Sequence, residues 1–113
     1  MDKLIDFFKM LSDETRVRIL VLLYHKKLCV CQLCGIMDET QPKISKHLAK
    51  LRDMGFVKDE RREQFIYYYI NLDNKLFDGV IKDIVSNIED YGRLKKDIEK
   101  IDNAEEYLKV CKK

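Results

Sequence analysis

Apolar side chains follow a helical spacing over most of this 113-residue chain, change once to a strand spacing, and change back. Leu4, Ile5, Phe8 and Leu11 make a short amphipathic first helix. Ser12 then reads as the N-cap of a second helix. Asp13 and Glu14 fall in its first turn, where the helix dipole favours negative charge. The stretch TRVRILVLLY is apolar on most sides and reads as buried. A third, short helix runs from about Val30 to Met37. Pro42 fits a first helical position and turns its predecessor away from helical geometry, so a fourth helix starts at Gln41 or Pro42 and stops near Gly55. In it Ile44, Leu48 and Leu51 form the buried stripe, while Lys43, Lys46 and Lys50 fall within about 60° of one another on the other side.

Beyond Gly55 the period becomes two. Phe65, Tyr67 and Tyr69 alternate with Ile66, Tyr68 and Ile70, a strand composition, and Val57 to Glu60 supply the opposing strand. Arg61 and Arg62 lie near the tip of the resulting hairpin. From Asn71 the chain returns to helix: Phe77, Val80, Ile81, Ile84, Ile88 and Tyr91 share one apolar face, and Leu94, Ile98 and Ile101 carry it past Gly92 in a long last helix. A short helix, a tight turn, a basic-faced helix and an arginine-tipped hairpin, in that order, make a winged helix-turn-helix. The fold class is mainly α with a β-hairpin wing.

Length confines the chain to one domain, residues 1–113, with a modest core. No apolar run approaches the roughly 20 residues that cross a membrane, and the acidic residues in MDKLIDFFKM do not fit a secretory leader, so a cytoplasmic protein is expected. No nucleophile–base pair, phosphate-binding glycine loop or acid pair suggests an enzyme. The net charge of +2 hides an uneven distribution. Residues 1–40 balance, residues 41–72 carry seven basic against four acidic side chains, and residues 73–113 carry nine against ten. The positive charge therefore sits on the fourth helix and the hairpin, where a polyanion would be met.

Three of four cysteines, Cys29, Cys31 and Cys34, crowd into LCVCQLC. Closely spaced thiols in a reducing compartment bind metal or sense redox state more often than they form structural disulfides. Thiolates select soft ions. Three sulfurs complete a pyramidal trivalent arsenic or antimony, whereas zinc takes four ligands. Cys31 and Cys34 share a helix face, but Cys29 lies about 200° from Cys31 on ideal geometry, so an ion held by all three requires an unwound first turn. Cys111 reads as a free tail thiol.

From LSDETRVRIL through LCVCQLC and QPKISKHLAKLRDMGFV to YYYINL, about 60 contiguous residues, the sequence resembles the ArsR/SmtB family of metal-responsive repressors, in its arsenic-responsive branch. The resemblance implies a cytosolic homodimer held on an operator until trivalent arsenic or antimony releases it. Family members tend to carry acidic residues where this chain has Lys27 and Gln32, and Lys27 is expected to favour thiolate. The histidine-and-acid site that other members place on the last helix is excluded, because the chain's histidines are His25 and His47.

On this reading Lys43, Lys46 and Lys50 neutralise phosphates of double-stranded DNA, and Gln41, Ser45 and His47 are candidates for base edges. His47 could equally be a packed helix residue. Arg61 and Arg62 reach the adjacent backbone or minor groove. Leu4 and Phe8 of the first helix, with Phe77, Val80, Ile81, Ile84 and Ile88, are the candidate dimer interface. Two-fold symmetry implies an inverted-repeat operator with half-sites roughly 34 Å apart. Two alternatives stay open: a thiol-based repressor of cadmium, lead, oxidant or persulfide response, and a thiol metal-binding protein with no DNA role.

Overall fold

The computed structural model describes residues 2–71 and 73–111, with side chains described as far as Leu108. Six α-helices and three strands follow in the order α1 (Asp2–Leu11), α2 (Glu14–His25), β1 (Leu28–Cys29), α3 (Val30–Met37), α4 (Gln41–Asp53), β2 (Val57–Arg62), β3 (Phe65–Ile70), α5 (Lys75–Ser86) and α6 (Gly92–Glu99). A short 3₁₀ turn at Ile88–Asp90 separates α5 from α6, and a 3₁₀ segment, Ile101–Cys111, follows α6. The expected winged helix-turn-helix is present.

α2 is the centre of the core: Ile19, Leu20, Val21 and Leu22 are fully buried. Ile44, Leu48 and Leu51 of α4 and Leu33 and Ile36 of α3 pack into the same core, as their spacing requires. Phe7, Phe56 and Phe77 form an aromatic cluster with centroids 5.0–5.9 Å apart, joining α1, the start of the wing and α5. β2 and β3 pair antiparallel from Val57↔Ile70 to Arg62↔Phe65, and β1 adds on the far side of β3 through Leu28↔Tyr68 and Cys29↔Tyr67. Glu63, at φ 56°, makes the turn at the wing tip. After α4, Gly55 adopts φ 84°, a conformation that glycine enters without strain, and sends the chain into β2.

Several sequence expectations are corrected. α1 turns Phe7 and Met10, which the apolar spacing did not single out, into the core, with Leu11 packed against it; Ile5 and Phe8 are 46% and 54% exposed. The N-cap of α2 is Asp13, whose carboxylate accepts from the Arg16 N–H at 3.1 Å, while Ser12 Oγ turns back to the Lys9 carbonyl. The long last helix is broken at Asn87–Tyr91, where the Asn87 side-chain amide donates to the Asp83 carbonyl and the chain redirects. Phe77 and Ile81, expected in the dimer interface, are core residues, 2% and 0% exposed, packed within the chain's own core cluster. The outward side of α5 offers exposed Leu76 and half-buried Val80 and Ile84.

Candidate functional site

The three cysteines sit where β1 passes into α3. Cys29 is the N-cap of α3, with extended backbone at φ −93°, ψ 172°. The Gln32 side-chain oxygen accepts from the Cys29 N–H at 3.0 Å, and the Cys29 sulfur faces the Gln32 N–H, a capping box with sulfur in place of the usual hydroxyl. Cys31 and Cys34 lie within the helix, at its second and fifth positions. Cys29 and Cys31 are 2% and 5% exposed, and Cys34 is half-buried. A cleft of about 200 Å³ is lined by both of the buried cysteines with Phe65, Ile66 and Tyr68 of the wing.

Cys29 and Cys34 are free thiols, and Cys31 is disulfide-bonded, so reduction must precede its service as a thiolate ligand. Burial pushes the Cys29 thiol above its ordinary value, against the hydrogen bonds from backbone N–H groups, and burial likewise raises Cys34. The expected help from Lys27 is not seen: its ammonium pairs with Glu60 at 2.7 Å and lies 4.5 Å from the centre of the Tyr69 ring. Among the described residues no three His, Cys, Asp or Glu side chains are gathered as an ion site. The expectation for Cys111 concerns a side chain outside the described ones.

α3 ends at Asp38, left-handed at φ 55°, ψ 49°, and the Glu39 N–H returns to the Cys34 carbonyl at 3.2 Å. The helix that carries the thiols therefore also fixes the turn of the helix-turn-helix. Past it, α4 leaves Gln41, Lys43, Ser45, Lys46 and Lys50 exposed to solvent. His47 is half-buried, and burial lowers its pKa against the charge of Asp13. Lys43 pairs with Glu39 at 3.1 Å. Arg52 of α4 reaches Asp59 of β2 at 3.1 Å and orients the wing, whose Arg61 and Arg62 stand exposed near the tip. Arg62 is held by Glu60 at 2.8 Å.

Sequence reasoning missed Arg18 and Asp97. The guanidinium of Arg18, 5% exposed, meets the Asp97 carboxylate through two bonds of 2.8 and 2.9 Å, donates to the Met37 carbonyl at 3.0 Å, and lies 3.8 Å from Glu39. The hydrogen bond with Asp97 is the main reason its pKa is raised, and it is charged at any ordinary pH. An arginine inside TRVRILVLLY signals that a buried acid must answer it; nothing in KKDIEK singles out Asp97.

The family model for the arsR family of bacterial regulatory proteins matches residues 13–59, from the α2 cap into β2. An uncharacterized HTH-type transcriptional regulator of Methanocaldococcus jannaschii is 32% identical over 90 residues, covering 79% of this chain and 94% of that one. The chain belongs to the arsR family. The arsenic resistance transcriptional regulator ArsR2 of Pseudomonas putida is 49% identical over 67 residues, and the chain spans 58% of that relative's length. Among solved structures, the transcriptional repressor PagR of Bacillus anthracis superposes with a TM-score of 0.64 at 33% identity, covering 74% of this chain and 93% of that one. No described helix of this arsR-family chain is long and apolar enough to cross a membrane.

Proposed function

We propose that the chain is a homodimeric, cytoplasmic repressor that holds an inverted-repeat operator through α4 and the wing, and releases it when trivalent arsenic or antimony binds Cys29, Cys31 and Cys34. The observation that carries this reading is the location of the thiols on α3, whose other end sets the turn into α4. An ion drawn to all three sulfurs cannot leave the capping box of α3 in place. With arsenite the exchange balances without a net proton: three As–O bonds break, three As–S bonds form, and each thiol proton leaves on a hydroxyl as water. The similarity to ArsR2, an arsenic resistance regulator, supports the choice of ligand.

The dimer reading rests on the exposed apolar side chains Ile5 and Phe8 of α1 and Leu76 of α5. These apolar side chains, with Leu4, Val80, Ile84 and Ile88, suit burial against a second copy. Phe77 and Ile81 support that face from within.

A duplex selected from a random pool by the reduced protein, followed by fluorescence anisotropy during arsenite and antimonite titration, tests the function. Release of the wild type, with operator binding intact but no release in Cys31→Ser and Cys34→Ser, is expected. Arsenite-insensitive binding by the reduced wild type would sink the reading. The clustered thiols support one second reading, release by oxidation. Peroxide that frees the duplex, reversed by a thiol reductant, with arsenite inert, would identify it.

A further inference from the structure

The C-terminal part of the chain lies across α3 and holds both of its ends. At the far end, Asp97 grips Arg18, which donates to the Met37 carbonyl, and the Lys100 ammonium donates to the Ile36 carbonyl at 3.3 Å. At the thiol end, the Gln32 side-chain N–H donates to the carbonyl of Ala104 at 3.2 Å. Between them the Tyr107 ring lies so close to Gly35 that a Cβ there would not fit. Ala104 and Gln32 are 0% and 1% exposed.

One amide group thus serves two partners. Its oxygen caps the Cys29 N–H at 3.0 Å while its nitrogen holds Ala104. The amide is planar, so its two ends cannot turn independently. We propose that Gln32 is a positioning residue that ties the thiol end of α3 to residues 101–108, so that an ion gathered at Cys29 frees that segment. This rests on the thiol-site reading above. When Cys29 leaves the cap, Gln32 loses the donor that fixes its oxygen. The Ala104 carbonyl then loses the buried side-chain donor that Gln32 supplied.

The freed segment continues back to Asp97 and so to Arg18, the Met37 carbonyl and Glu39, the partner of Lys43. This is a second path from the thiols to the first turn of α4, beside the deformation of α3 itself.

Hydrogen exchange on the reduced full-length protein, with arsenite as the probe, tests the tie. Gln32→Glu keeps the acceptor for Cys29 and removes the donor to Ala104; Gln32→Met removes both. Amides of residues 101–108 should exchange about tenfold faster in either variant without arsenite. Protection of residues 30–33 should survive in Gln32→Glu and fall in Gln32→Met. Arsenite should speed exchange at 101–108 in the wild type and add nothing in Gln32→Glu. Unchanged exchange at 101–108 in Gln32→Glu overturns the tie, as does calorimetrically detected arsenite binding that leaves wild-type exchange there unaltered. If residues 19–23 also lose protection in Gln32→Glu, that variant is globally loosened and the wild-type arsenite arm decides. Absence of any arsenite binding would instead overturn the thiol-site reading, leaving the Gln32 variants to judge the tie alone.

Discussion

Replacing Asp97 with alanine should destabilise the protein far more than an acidic residue in a lysine-rich helix would suggest. Asp97 and Arg18 are 2% and 5% exposed, and their two bonds of 2.8 and 2.9 Å are the main satisfaction of the guanidinium. Breaking a buried pair from one side costs about 3–5 kcal/mol, because a charge is left in a poorly polarisable surrounding. Two contacts survive in Asp97→Ala: the bond to the Met37 carbonyl at 3.0 Å and the approach to Glu39 at 3.8 Å. These place the loss near the lower end, about 3 kcal/mol. Arg18→Met with Asp97→Leu removes both charges and should fall within about 1 kcal/mol of the wild type, since apolar replacement of such a pair is often neutral. Urea unfolding at fixed protein concentration, read by circular dichroism, measures all three differences, provided that the m-value stays constant. An Asp97→Ala loss below about 1 kcal/mol, or a double variant as weak as the sum of the singles, would refute the buried-pair reasoning.

Lys43→Ala and Arg61→Ala should each weaken operator binding and flatten the slope of log K against log salt by about 0.9, and unchanged slopes would remove them from the phosphate contacts. Phe8→Glu places a charge on an exposed apolar face and should yield folded monomers by sedimentation, with undiminished helical circular dichroism; an intact dimer would move the interface elsewhere. Burial raises the Cys29 and Cys34 pKa above 9.0, so the native state keeps these protons at a pH where the unfolded chain loses them. More protons bound in the native state means that stability is complete below about pH 9 and declines as pH rises beyond it. Reduced protein should show a urea midpoint falling above pH 9, less steeply in Cys29→Ala; a midpoint rising there would contradict the burial.

The helix-turn-helix and wing were legible because each segment has one apolar face and one destination. In α4 the core stripe of Ile44, Leu48 and Leu51 and the lysine side are separated around the helix, so period and chemistry agree. Cys29, Cys31 and Cys34 announced themselves by clustering, and the misfit of Cys29 to a regular helix corresponds to its place as an N-cap. α1 is only half legible because it has two apolar sides. Phe7 and Met10 meet this chain's core while Ile5 and Phe8 stay exposed, and spacing alone does not rank them. The break between α5 and α6 escaped notice for a related reason. Phe77 and Ile81 are buried before the break and Leu94 after it, so the apolar period continues through a backbone that does not. Gln32 and Asp97 gave no sign of their roles, because both depend on partners 72 and 79 positions away.

Whether the thiols and the DNA-binding face share one equilibrium is read most directly from arsenite affinity, measured on the reduced protein alone and on its complex with the selected duplex. Linkage requires that the ion's effect on operator affinity equal the operator's effect on ion affinity, and couplings of this kind lie at about 1–3 kcal/mol. Arsenite should therefore bind the free protein roughly 5- to 150-fold more tightly than the complex. Equal affinities, with arsenite bound in both cases, would contradict release through Cys29, Cys31 and Cys34.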